Sequence, residues 1–242
     1  NLQSLPVTDA AVEIGKSFLG LDYAAFTLEK EGDESLVINL RGLDCTTFLE
    51  NCVVFARCIK KGKTSFEDYA AELQYIRYRS GVMNLYPSRL HYFSDWIYDN
   101  AGKGIVKDIT KELKGIPYNK KVSFMTENSH LYAKLKNNKA FLDSVLAHEK
   151  KINSRQYYYI PKKDVKKVEE SIANGDLIAI TSSVNGLDIN HVGLAVRIDG
   201  VLRFMHAPLV GSKVQITEGS LSEYLASIKK HTGIMVARLQ EP

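Results

Sequence analysis

Asp199-Gly200 separates two runs of alternating apolar residues, and this short stretch constrains the fold more than any other. Upstream, Val192, Leu194, Val196 and Ile198 take every second position, and downstream Val201 to Ala207 returns. Alternation with a period of two makes a strand with one apolar face. Asp-Gly suits a two-residue hairpin turn, whose central positions need positive φ. With a turn that tight, Ile198 pairs with Val201, His191 stands opposite Pro208, and Gly193 stands opposite His206. His191 and His206 then share the face away from the valines, as diagonal neighbours with Cβ atoms ~7 Å apart. A bulge between 201 and 206 would turn His206 to the other face. Gly193 and Ala195 are small and lie on the histidine face, which would let a helix approach there.

Two imidazoles on one face call for a chemical partner, and the three cysteines supply the candidates. Cys45, Cys52 and Cys58 lie on one helical pattern that begins at Asp44, with Phe48, Leu49, Cys52, Val53 and Ala56 as its apolar stripe. Lys60 and Lys61 in the last turn and Gly62 beyond it are stop signals. No Cys-x-x-Cys spacing is present, so no metal is expected. A disulfide within one helix is sterically disfavoured at these separations. Cys45 occupies the first turn, where the positive end of a helix lowers a thiol pKa. Cys52 falls inside the stripe and Cys58 at the opposite end. Position alone therefore nominates Cys45 as nucleophile, His191 as its base and His206 as the group that orients the base. The backbone N–H of Cys45 is an oxyanion donor by the same placement.

Elsewhere the pattern predicts helices over Asp9–Phe18, from Ser65 through Phe66, Tyr69, Leu73 and Ile76 to Gly81, and around Phe93, Trp96 and Ile97. Irregular strands are expected over 102–126, and one or two helices over 127–152. Val165, Val168 and Ile172 mark a further helix, closed by Gly175. Strands follow at Leu177–Thr181, the hairpin, Lys213–Thr217 and Ile234–Leu239. Ser220 with Glu223 forms a capping box for a helix reaching His231. Helices first and an antiparallel sheet last is an α+β arrangement. No linker or repeat divides the chain, so residues 1–242 are expected to form one domain, with 63–174 as a mainly helical insertion.

The net charge of +4 comes from scattered lysines, a solvated surface that does not require nucleic acid as a partner. No apolar run approaches the ~18 residues of a membrane span. The chain opens on Asn1 with no leader pattern, as expected of either a mature product or a trimmed chain.

The segments Leu43-Asp44-Cys45-Thr46-Thr47-Phe48, Gly175-Asp176-Leu177, Asn190-His191-Val192-Gly193-Leu194 and Met205-His206-Ala207-Pro208 resemble, in order and spacing, the NlpC-type papain-like cysteine hydrolases of bacterial cell walls. The matching segments fall within 43–58 and 175–217. Thr46-Thr47 replaces the family's usual Ser-Gly, and residues 63–174 far exceed its usual connection. That long insert, with Tyr75-Ile76-Arg77-Tyr78 and Ser88-Arg89-Leu90-His91-Tyr92-Phe93, is similar to the N-acetylmuramoyl-L-alanine amidase-like subfamily.

The resemblance implies a papain-like core in which a Cys-bearing helix packs on an antiparallel sheet. It also implies hydrolysis of the amide between the lactyl group of N-acetylmuramic acid and L-alanine, with no cofactor. Tyr23 is the match to the family's active-site tyrosine, and Asp44 supports the site beside it. Arg89, His91 and Asn190 are candidates for binding a muropeptide, although Arg89 and His91 read equally well as surface charges on a helix. A monomer acting on peptidoglycan fragments is expected, in the periplasm or cell envelope after loss of a leader, or in cytoplasmic recycling. An endopeptidase cutting after D-Glu, a non-hydrolytic peptidoglycan-binding module and a transglutaminase or acyltransferase remain as alternatives.

Overall fold

The computed structural model describes residues 1–242. The helices are α1 (Val7–Ser17), α2 (Cys45–Lys60), α3 (Phe66–Arg77), α4 (Phe93–Gly102), α5 (Phe124–Glu127), α6 (Ala133–Lys136), α7 (Lys139–Asn153), α8 (Lys162–Val168) and α9 (Leu221–Ser227). The strands are β1 (Asp22–Tyr23), β2 (Gly42–Leu43), β3 (Val106–Asp108), β4 (Ile116–Tyr118), β5 (Tyr157–Pro161), β6 (Leu177–Ser182), β7 (Ile189–Ile198), β8 (Val201–His206), β9 (Gln215–Ile216) and β10 (His231–Leu239). Together they form a mixed fold of helices around an antiparallel sheet. The sheet runs in the order β4-β5-β10-β6-β7-β8-β9, with β3 also on β10. Only β1 and β2 pair in parallel, away from this sheet.

The hairpin forms in the register its turn dictates. Asp199 and Gly200 have φ of 52° and 79°, and Ile198 pairs with Val201 without interruption back to Leu194 and Met205. The sheet separates two apolar layers. Val192, Leu194, Val196 and Met205 pack with α1 and α2 on one side. Ala195, Leu202 and Phe204 pack with Val165 of α8 and with Leu221 and Leu225 of α9 on the other. α2 therefore lies on the valine face, and α8 and α9 cover the face of Ala195. The Met205 carbonyl and the Phe204 ring fill the space beside Gly193.

α2 is enclosed more completely than its apolar stripe suggests. Its polar face is buried too, with Glu50 paired to Arg77 at 2.8 Å and Arg57 to Glu72 at 2.5 Å, both partners on α3. Gly15 of α1 faces β8 and α2, and a Cβ there would stand 2.4 Å from the Met205 methyl and 3.4 Å from Cys52 Sγ.

Several boundaries differ from the sequence expectation. α3 stops at Arg77 because Tyr78 turns extended and bridges to Arg89, and Phe66 is exposed. α8 ends at Val168, and Ile172 is extended. α9 ends at Ser227, since His231 already begins β10. Residues 63–174 contribute β3, β4 and β5 to the sheet, and the Tyr157–Pro161 strand had no counterpart in the sequence reading. Its run of three tyrosines before Ile160 carries the β preference that would have marked it.

Candidate active site

α2 begins at Cys45 because Asp44 caps it. The Thr47 N–H donates to Asp44 Oδ1 at 2.7 Å, and the Asp44 N–H donates to Thr47 Oγ1 at 2.9 Å. This is a capping box that gives Thr47 a definite structural use. Asp44 thus lends its carboxylate to the helix start directly beside the thiol.

Cys45 lies at the edge of the α1–α2 core layer. Its Sγ lies 4.0 Å from Thr46 Oγ1. Burial pushes its thiol up to about 11, and the Asp44 carboxylate adds to the rise. The helix-end argument predicted a stabilised thiolate. Desolvation and a neighbouring anion outweigh the helix dipole here, and the resting form is the neutral thiol. Cys52 and Cys58 are buried in the core, and burial pushes both thiols up.

His191 and His206 meet as the hairpin register requires, with His191 Nε2 and His206 Nδ1 2.6 Å apart. Both rings rest on Phe204, at 5.7 Å from His191 and 4.7 Å from His206. Burial holds His191 well below the usual histidine value, with His206 and then His231 adding to the shift. Burial, then His231, lowers His206 to about 3. Both imidazoles are therefore neutral near pH 7. Cys45, His191, Asn190 and His91 line one small cleft of about 100 Å³.

Tyr23, more than twenty positions before the cysteine, is carried to it by the β1–β2 pairing, in which Tyr23 stands opposite Leu43. Its phenol is raised to about 12 by burial first, then by Cys45 and Asp44. His91 adjoins Cys45 in the cleft and donates from Nε2 to the Tyr86 carbonyl at 2.9 Å. Arg89 is only 5% exposed, which removes the surface-charge alternative. Its Nη2 donates to Glu29 at 2.7 Å and its Nη1 to the Leu28 carbonyl at 3.1 Å. It walls a neighbouring cavity of about 270 Å³ with Tyr23, Asp44 and Thr46, but with its charge already matched.

Two residues of this region went unnoticed in the sequence. Asp188 is buried in the cleft wall, where its Oδ2 accepts the Ser94 N–H at 2.9 Å and its carbonyl accepts Tyr118 Oη at 2.9 Å. Its place three residues before His191 was the available signal. Phe204, two residues before His206, offered only the alternation of its strand. No group of three or more His, Cys, Asp or Glu side chains is arranged to hold a metal ion.

Comparison with known proteins identifies the family of this chain. The AmiA-like family, described as N-acetylmuramoyl-L-alanine amidase-like, matches residues 13–234. The chain belongs to this family. A solved N-acetylmuramoyl-L-alanine amidase from Bacteroides uniformis superposes on this amidase-like chain with a TM-score of 0.92 at 33% identity, covering 97% of this chain and 99% of its own. A Bacteroides fragilis structure carrying a xylanase name superposes at 0.88 and 36% identity, over 94% and 99% of the two chains. A Legionella pneumophila protein shares the fold at 0.73 and 24% identity, over 99% and 91%. No curated protein matches the chain.

Proposed function

We propose that this member of the amidase-like family is an N-acetylmuramoyl-L-alanine amidase that works through Cys45, His191 and His206. The observation that carries the reading is the 2.6 Å contact between His191 Nε2 and His206 Nδ1, in a cleft that also contains Cys45. With its Nε2–H donated to His206, His191 presents an unprotonated Nδ1 as a base.

Because thiol and imidazole are both neutral at rest, proton transfer accompanies attack. His191 takes the Cys45 proton as Sγ bonds to the lactyl carbonyl carbon. The oxyanion that forms meets the unpaired first-turn N–H of α2 and the Tyr23 hydroxyl. Collapse breaks the C–N bond, and His191 returns the proton to the departing L-alanine nitrogen. Water, deprotonated by His191, then hydrolyses the thioester to release the N-acetylmuramic acid carboxyl group and restore the thiol.

Glycoside hydrolysis would need two carboxyl groups flanking the scissile bond. The cleft holding Cys45 is lined by one carboxylate, Asp188, whose Oδ2 is bonded to the Ser94 N–H. That favours amide over glycosidic chemistry. The substrate class places the protein at cell-wall material, outside the cytoplasm or on imported fragments. No helix is long and apolar enough to cross a membrane.

Mass spectrometry of the products from a defined muropeptide tests the reading. Free N-acetylmuramic acid and a stem peptide beginning with L-Ala are expected. A sugar that retains L-Ala–D-Glu would contradict it and indicate an endopeptidase.

A further inference from the structure

Two cavities adjoin the cleft that holds Cys45. The one of about 270 Å³ shares Thr46, Leu90 and His91 with it, and the other, of about 640 Å³, shares Asp188. Their electrostatics differ. In the smaller cavity both cations are matched, Arg77 by Glu50 and Arg89 by Glu29, and Asp44 adds a further negative charge. The larger is lined by Lys120, Lys121 and Arg155, with Asp188 as its only acid.

Arg155 is committed to Asp95 at 2.5 Å, and Lys121 is exposed, with Glu127 3.8 Å away. Lys120 is different. It is half-buried, and its Nζ donates to the Ser182 carbonyl at 2.5 Å while no carboxylate pairs with it. An ammonium held in a cavity wall by one neutral acceptor keeps two N–H groups for an anion. The volume lies within the range of small-molecule sites.

We infer that the cavity beyond Asp188 binds the carboxylate-bearing stem peptide, with Lys120 as the cation that recognises a stem carboxylate. The assignment rests on the amidase reading, in which the sugar side of the scissile amide is uncharged and the peptide side is anionic. The anionic half then occupies the basic cavity and the neutral half lies towards Tyr23. Lys120 becomes a specificity-determining residue, favouring stems with free carboxylates over stems in which these are amidated.

The test is calorimetric binding of two free tripeptides to the full chain. One is L-Ala–γ-D-Glu–meso-diaminopimelate and the other is the same peptide with its stem carboxylates amidated. The free acid is expected to bind about ten-fold tighter or more, as a charge-assisted hydrogen bond in a partly buried site implies. Lys120→Ala should remove that preference with an unchanged Tm, and Lys120→Arg should keep most of it. Equal binding of the two peptides, or a Lys120→Ala variant that weakens both alike, would overturn the assignment. The measurement does not depend on which bond is cut. Failure of the amidase reading would instead appear as a different product from the unaltered protein.

Discussion

A Cβ on Gly193 would stand 2.4 Å from the Met205 carbonyl oxygen and 2.8 Å from Cε2 of the Phe204 ring, the two groups that fill the space into which a side chain would project. The glycine of the Asn190-His191-Val192-Gly193 segment is needed by the Met205 backbone and by a ring that also supports both imidazoles. Gly193→Ala should therefore overpack this contact and destabilise the fold by about 1–3 kcal/mol. It should also move the histidine pair. Urea unfolding and kcat measured together check this: activity is expected to fall further than in a remote core variant of equal stability loss.

The thiol of Cys45, pushed up to about 11, predicts slow alkylation by iodoacetamide at neutral pH. The rate should keep climbing to the alkaline limit of the fold. An ion-paired thiolate would instead give a plateau from mildly acid pH upward. Stability follows the same sign. A thiol with a raised folded value contributes nothing adverse below the unfolded value of ~8.5, and it destabilises the fold progressively as pH rises above that.

Asp44 has two separable effects on Cys45. Asp44→Asn keeps a cap acceptor and removes the charge, so the thiol should titrate lower and alkylate faster with little loss of stability. Asp44→Ala removes the cap as well and should cost about 1 kcal/mol. Thermal unfolding and alkylation kinetics separate the two.

How far the sequence made this site legible depended on the range of the interactions. The Asp199-Gly200 turn and the Asp44 cap are local, and from the turn alone the pairing of His191 with His206 followed correctly. The acidity of Cys45 was read with the wrong sign. The helix dipole is local, but the burial that opposes it is produced by tertiary packing, and the adjacent Asp44 carboxylate adds to the rise. The matching of Arg89 by Glu29 and Glu34 joins a helix-flanking segment to a stretch with no regular structure, which no periodicity reveals. The pairing of β3 and β5 with β10 likewise spans most of the C-terminal half of the chain.

Burial lowers His206 to about 3 and His231 to about 4. Their unfolded values lie near 6.5, so the stability they contribute is fully present above that pH and is lost as pH falls towards their folded values. Urea midpoints between pH 7 and 4 should fall steeply for the unaltered protein. The fall should be shallower for His231→Asn, which removes one of the protons taken up on unfolding.

Tyr23 is assigned to the oxyanion. Tyr23→Phe should lower kcat by about 10²-fold and leave KM nearly unchanged, as expected for a donor used only in the transition state. An equal rise in KM would assign the hydroxyl to substrate binding instead.

The central claim is that Cys45 is the nucleophile, and Cys45→Ser assayed on a defined muropeptide tests it most directly. The account predicts that release of the stem peptide falls to the background rate while the far-ultraviolet circular dichroism and Tm stay unchanged. Hydrolysis at an undiminished rate by the folded variant would contradict it.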